Sequence, residues 1–90
     1  PPMLVIEDMR LIENSALAVV IKVYSDGHMT AKIRANDGFP IAAELAEHFG
    51  GGGHAYASGF KTSDYSLEDL KKEVVTTVAS LLDGVKNEAV

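Results

Sequence analysis

The chain has 90 residues, of which 47% are hydrophobic and 23% charged, and its formal net charge is -5. This is the size and composition of one small globular domain, and the absence of cysteine excludes disulfides and thiolate metal sites. No apolar run reaches the roughly 18–20 residues of a membrane span, and no signal peptide is evident, so a cytoplasmic protein without a membrane partner is expected. The acidic balance argues against a general nucleic-acid clamp, which needs a broad basic face.

The first half of the chain predicts strands. Residues 3–8 are apolar and predict either an edge strand or the end of a linker, which could extend over residues 1–15. Residues 16–24 are rich in β-branched side chains and predict a strand buried on both faces. Asp26-Gly27 then favours a tight hairpin turn, and residues 28–35 alternate between apolar and polar positions.

The length of this turn decides which face of the hairpin carries the basic side chains. A two-residue turn places Arg34 opposite Val19 and Lys32 opposite Ile21, on a mixed face that a helix covers in part. A three-residue turn reverses the assignment. Either way, the hairpin forms a small basic spot on an acidic body, which suits a short phosphorylated ligand.

The second half predicts two helices. Residues 40–49 carry apolar side chains at helical spacing, with Pro40 in the first turn and Gly50 as the C-terminal cap. Residues 57–62 predict a short strand. Ser66 is expected to open the second helix and Gly84 to end it, which leaves residues 86–90 as a frayed tail.

Together these elements predict an α+β fold. We expect a single small domain over residues 1–90, with a mixed β-sheet, one hairpin and two main helices packed on it.

A run of four glycines and a histidine, Gly50-Gly51-Gly52-Gly53-His54, joins the first helix to the last strand. Glycine is costly to order, by about 0.5–1 kcal/mol relative to alanine, so such a run between patterned elements suggests a backbone that lies close to a ligand. Bare amides in a glycine loop form a nest that favours phosphate, and His54 can add a hydrogen bond or a charge. A flexible linker is the alternative.

Phe49-Gly50-Gly51-Gly52-Gly53-His54-Ala55-Tyr56-Ala57-Ser58-Gly59 resembles the Gly-Gly-Gly-His-x-x-Ala-Ala-Gly signature of the DHH-associated domain, the C-terminal substrate-binding half of DHH-family phosphoesterases. Ser58 replaces the usual alanine. Thr30-Ala31-Lys32-Ile33-Arg34 resembles the lysine-x-x-arginine strand of the same family. The family includes RecJ-type exonucleases, oligoribonucleases that degrade nano-RNA and 3′-phosphoadenosine-5′-phosphate, and cyclic dinucleotide phosphodiesterases.

This resemblance implies a substrate-holding module whose catalytic residues lie elsewhere. The family's chemistry resembles that of a two-manganese phosphoesterase, with metal ligands in an N-terminal Asp-His-His domain that would be the partner of this one in the same protein. The chain has no such triplet, so it should bind no metal and be inactive alone, with His54 assisting from across the cleft. The implied ligand is a short oligonucleotide or phosphorylated nucleotide. The resemblance leaves open whether the protein forms a homodimer. The residues implied to hold phosphate or substrate are Lys32, Arg34, Gly50, Gly51, Gly52, Gly53, His54, Ala57, Ser58 and Gly59.

Structural roles compete with these assignments. His28 beside the turn and His48 at a helix end are expected to be structural. Lys32 could only snorkel over a mixed face, and residues 57–59 could be small simply to let the sheet pack. A rival function is a non-catalytic module for nucleic-acid binding or dimerisation, like the C-terminal domain of alanyl-tRNA synthetases.

Overall fold

A computed structural model describes residues 3–88, so the Pro1-Pro2 start and the last two residues of the expected frayed tail lie outside the described residues. The described chain is an α+β domain, as the sequence predicts. Its elements are β1 (Val5–Glu13), β2 (Leu17–Tyr24), β3 (Met29–Ala35), α1 (Ala42–His48), β4 (Gly52–Gly53), β5 (Ala57–Thr62) and α2 (Leu67–Glu88). In residues 3–88 we find no helix that is both long and apolar enough to cross a bilayer.

The five strands form one sheet in the order β1-β2-β3-β5-β4, and every neighbouring pair is antiparallel. The expectation of a mixed sheet is therefore wrong. Three of the four pairs are successive strands joined by short turns, and a short turn can only join antiparallel strands, because a parallel pair needs a long crossover.

The β2–β3 hairpin has a three-residue loop, Ser25-Asp26-Gly27. The Tyr24 amide donates to the His28 carbonyl at 2.9 Å, and Gly27 has a φ of +94°, as in a turn that ends in a left-handed bulge residue. Arg34 consequently pairs with Ala18 and Lys32 with Val20, so the predicted two-residue register is wrong by one position. The apolar and basic residues of the hairpin lie on opposite faces.

Both helices pack on the apolar face of the sheet. Val19, Ile21 and Ile33 from the sheet are fully buried against Leu45 of α1 and Leu70 of α2. Burial of about 25 cal/mol per Å² of apolar surface makes this layer the main source of stability. The opposite sheet face carries no helix in the described residues and is called the open face below. The prediction that β2 is buried on both faces is therefore wrong, since Lys22 on the open face is exposed.

Two of the predicted helix limits are wrong, at Pro40 and Gly84, and one is confirmed, at Gly50. Pro40 precedes α1 rather than lying in its first turn, since Ile41 is the N-cap residue. Gly50 follows the C-cap residue Phe49 with a φ of +84°, which is the position and conformation of a helix-capping glycine, so its predicted role is confirmed. Gly84 does not end α2, which continues to Glu88; a single helical glycine costs only about 1 kcal/mol, and the Val85 side chain still packs against the core.

Two strands occupy segments that the sequence left open or missed. β1 covers part of the segment that could have been a linker, and its Leu4 end is tied to the hairpin loop by the Leu4 carbonyl, which accepts from the Ser25 amide at 2.8 Å. β4 lies within the glycine run, and no side-chain pattern could reveal a strand made of two glycines.

Candidate functional site

The open face concentrates the basic residues of this acidic chain. Direct pairing across the strands places five of the eight lysines and arginines on it, against two carboxylates. Arg10 is paired with Glu13 at 2.6 Å, and within residues 3–88 the other four cations form no salt bridge. The strand residues of this face are Val5, Asp8, Arg10, Glu13, Ala18, Val20, Lys22, Tyr24, Thr30, Lys32, Arg34, Gly52, Ala57, Gly59 and Lys61.

Arg34 and His54 lie in one row across the open face. Arg34 pairs with Ala57, and Ala57 exchanges both backbone hydrogen bonds with His54, at 2.7 and 3.4 Å. Residues directly opposite each other share a face, so the three side chains lie side by side. Only the methyl group of Ala57 separates the Arg34 and His54 side chains. The usual spacings of such pairs separate the Arg34 and His54 Cα atoms by about 10 Å. We call Arg34, Ala57 and His54 the His54 row.

The next row along the strands has a bare backbone floor. Lys32 pairs with Gly59, and Gly59 pairs with Gly52, so two of its three positions have no side chain. A Cβ at Gly52 would meet no atom within 4 Å, which places that position at open space. A ligand can therefore approach the sheet backbone between Lys32 and the glycine run.

From this floor, a groove of about 420 Å³ runs over the sheet toward the hairpin loop. Lys22, Lys32 and Thr30 supply polar groups, while Val20 and Tyr24 supply apolar surface. This volume lies in the range of about 300–1,000 Å³ that is common for small-molecule sites. Asp8, directly opposite Lys22 in the register, is the one carboxylate in its lining.

The glycine run begins as the cap of α1 rather than as a bare loop. The Gly50 amide donates to the Glu47 carbonyl at 3.0 Å and the Gly51 amide to the Ala46 carbonyl at 2.8 Å, which is a Schellman motif. The His54 amide donates to Ala57, so these three amides are not the bare donors of an anion nest. The alternation of antiparallel hydrogen bonds instead turns the Gly53 amide away from β5, toward the outer edge of β4.

Ser58 points to the helical side of the sheet. Its Oγ donates to the Ala42 carbonyl at 2.6 Å and so ties β5 to the start of α1. Of the three small residues at positions 57–59, the structure thus brings Ala57 and Gly59 to the open face and gives the Ser58 hydroxyl a partner inside the fold.

The three histidines have different surroundings. His28 stacks on Tyr24 with ring centroids 4.3 Å apart and has Nδ1 2.5 Å from the Asp26 carboxylate. His48 Nε2 lies 3.0 Å from Glu73, between the two helices. Both therefore have structural contacts. The exposed His54 ring makes no hydrogen bond to any residue in the described part of the chain.

The sequence reasoning missed the groove. No binding role was predicted for Lys22, Val20, Tyr24 or Thr30. The signal that could have found them is the turn: Ser25-Asp26-Gly27 as a three-residue loop puts Lys22 opposite Thr30, on the face of Lys32 and Arg34.

The site does not fit a catalytic metal. Residues 3–88 contain no group of three or more histidine, aspartate or glutamate side chains placed to hold an ion. What the arrangement offers is recognition of an anion by lysine and arginine, a histidine, and a flat floor onto which a planar or bulky group can be laid.

The fold and site define a two-layer α+β module with one cationic sheet face. The model of one family, the DHHA1 domain, matches residues 4–83, and the chain belongs to this family, the DHH-associated domain. Domains of the family sit with an N-terminal DHH domain in DHH proteins. A comparison with curated proteins finds no match to this chain.

Proposed function

We propose that this chain is the substrate-binding domain of a DHH-family phosphoesterase that cleaves phosphoester bonds in short oligonucleotides or phosphorylated nucleotides. His54 and Arg34 hold the phosphates of the substrate, Lys32 adds a third positive group, and the glycines let the ligand lie against the sheet. The observation that supports this best is the His54 row, which sets an exposed histidine and an exposed arginine on either side of a single methyl group.

The chemistry of the two side chains supports this assignment. The guanidinium of Arg34 can bind two phosphate oxygens at once. His54 can donate from the ring to a third oxygen, and it does so more strongly when protonated. The Gly53 amide, turned to the edge of β4, is the one backbone donor of the glycine run that the fold leaves for a ligand.

Hydrolysis is assigned to a DHH domain of the same protein. The two manganese ions that the family resemblance implies would be bound there, because the described residues of this chain do not supply ligands for them. The role of this chain is to bind and orient the phosphate, with His54 facing the partner domain as an assisting residue.

The test is the affinity of the 90-residue chain for 3′-phosphoadenosine-5′-phosphate, measured by titration calorimetry. We expect Arg34→Gln and His54→Ala each to weaken binding, by about 1–3 kcal/mol for the loss of a charged hydrogen bond at Arg34. In the whole protein, His54→Ala should also lower turnover. His48→Ala is the matched control, because it removes a histidine that contacts Glu73 and lies off the open face.

A loss of affinity in Arg34→Gln or His54→Ala counts as evidence only if the variant chain is still folded. Both side chains are exposed, so the thermal stability of each variant should stay close to that of the parent chain. Unchanged affinity in both Arg34→Gln and His54→Ala, with the chain folded, contradicts the proposal.

The cationic open face also supports a second candidate, the non-catalytic RNA-binding module. The acidic net charge alone argues against RNA, but the open face carries four cations that form no salt bridge within residues 3–88, which weakens that argument. A gel-shift assay over a range of salt concentrations separates the two: tight tRNA binding without binding of small nucleotides favours the RNA module.

A further inference from the structure

We propose that the groove over β2 and β3 is a second nucleotide subsite, so that the open face binds a single-stranded oligonucleotide of at least two nucleotides rather than one phosphorylated nucleotide. This inference rests on the proposed function, because it takes the His54 row as the first subsite. The binding residues then also include Lys22, Thr30 and Tyr24, and the ligand is a single-stranded oligonucleotide.

The groove continues from the His54 row along the same face of the sheet. Positions two apart on a strand share a face and lie about 6.8 Å apart. Arg34, Lys32 and Thr30 therefore step along the open face, and Tyr24 lies one step further across the hairpin. These three steps cover about 20 Å along the strands, so the open face extends well beyond the His54 row.

The groove also has the mixed chemistry that a nucleotide needs. Lys22 and Lys32 are exposed cations for a phosphate, and the Thr30 hydroxyl can bond a phosphate or a sugar. Val20 and Tyr24 form an apolar wall against which a base can lie, although His28 already covers one face of the Tyr24 ring. A purely electrostatic anion site has no use for that wall.

Asp8 allows a second test of whether a phosphate binds at Lys22. Its carboxylate lies opposite Lys22 in the register, yet no salt bridge joins the two among residues 3–88. A phosphate at Lys22 would be repelled by Asp8, so neutralising these two neighbours should change affinity in opposite directions.

The experiment measures fluorescence anisotropy of the 90-residue chain with 5′-phosphorylated oligoadenylates of one, two and four nucleotides. We expect affinity to rise from the mononucleotide to the dinucleotide. Lys22→Gln should remove most of this gain, by about fivefold, equal to about 1 kcal/mol for a surface charge contact. It should also reduce the magnitude of the salt slope by about 0.7 for the lost phosphate contact. Mononucleotide affinity should not change.

Two variants complete the design. Asp8→Asn should raise affinity for the dinucleotide and leave the mononucleotide unaffected. Lys72→Gln removes the same charge from an exposed position on α2, in the helical layer, and should change neither affinity.

The outcomes separate this inference from the proposed function. If the mononucleotide binds and depends on His54 but longer strands bind no tighter, the second subsite is wrong and the proposed function survives. Equal effects of Lys22→Gln and Lys72→Gln, or equal competition by a polyglutamate peptide, also overturn the subsite. If no oligoadenylate binds, both proposals fail.

Discussion

Among the glycines of the run that do not cap α1, Gly53 has the least room for a side chain. Its φ is +148°, and a Cβ there would lie 2.6 Å from both the Ala57 carbonyl oxygen and the Ser58 Cα. Those contacts are to backbone that is fixed in the sheet, so a side chain cannot be fitted by a rotamer change. Gly52, the preceding residue, has free space at its Cβ position.

This contrast predicts different outcomes for two alanine substitutions. Gly53→Ala should lower the free energy of unfolding by more than about 2 kcal/mol, through strain and overlap with β5. Gly52→Ala should be neutral or stabilising by up to about 1 kcal/mol, because it restricts the unfolded chain. Urea denaturation measures both, and equal destabilisation would contradict the geometry of β4.

Gly52→Ala has a second expected effect. Its methyl group would rise from the floor between Lys32 and the glycine run, so a stable variant should bind 3′-phosphoadenosine-5′-phosphate more weakly. A folded Gly52→Ala chain with full affinity would show that the ligand does not use this floor.

Asp26 gives the hairpin loop a dependence on pH. The backbone amide of His28 donates to Asp26 Oδ1 at 2.9 Å, and this hydrogen bond, together with those to the His28 ring, lowers the pKa of the Asp26 carboxyl below its ordinary value. A carboxyl whose pKa is lower in the folded state stabilises the fold above its unfolded pKa of about 3.9. That stabilisation is lost as the pH falls through the folded pKa.

Asp26→Asn should therefore flatten the acid limb of the stability curve. The unfolding free energy of the parent chain should fall more steeply than that of the variant between about pH 5 and about pH 2. Asp37→Asn, a charge-matched change in another exposed loop, is the control. Parallel curves for the parent and Asp26→Asn would contradict the assignment.

At the scale of elements, α1 and β5 hold the His54 row in place. The Ser58 hydroxyl bonds to the first residue of α1, the Ala42 amide donates to the Ala55 carbonyl at 2.9 Å, and Phe49 stacks on Phe60 with centroids 4.4 Å apart. These contacts fix the β4–β5 turn from both of its sides. The orientation of His54 thus depends on packing in the helical layer.

Ser58→Ala tests this connection. It should lower the unfolding free energy by about 1 kcal/mol, the usual net value of one hydrogen bond, while Ser80→Ala on the exposed side of α2 should have little effect. Thermal or urea denaturation of the two variants measures the difference. A neutral Ser58→Ala would mean that the hydroxyl contributes nothing to the joint between β5 and α1.

The long helix α2 supports the sheet through one stripe of side chains. Leu70 and Val74 are fully buried, whereas Val75 on the next position is 49% exposed. Leu70→Ala should cost about 2–5 kcal/mol, and Val75→Ala less than about 0.5 kcal/mol. Similar losses for both, measured by denaturation, would contradict the placement of α2 on the apolar face.

β-Branched composition predicted β2, and periodicity predicted β3 and the apolar stripes of both helices, because side-chain spacing reports directly which face of an element is buried. It could not give the register of the hairpin, since one residue in a turn exchanges the two faces. It also could not give β4, because glycines carry no pattern. The candidate residues Arg34, Lys32 and His54 came from a motif, and only the register shows that Arg34 and His54 share a row.

At the scale of the whole molecule, charge is separated between the layers. Most of the carboxylates lie off the open face, while the lysines and arginines of the strands lie on it. An acidic chain thus presents a cationic binding face. Net charge alone misses this, because it sums over faces that a ligand never meets together.

The central claim is that the His54 row binds phosphate, and the most direct test is a two-dimensional NMR titration of the 90-residue chain with 3′-phosphoadenosine-5′-phosphate. We predict amide shifts at Arg34, Ala57 and the Gly52–His54 segment, with the amides of α2 unchanged. Shifts confined to other surfaces, or no shifts at millimolar ligand, would contradict the claim.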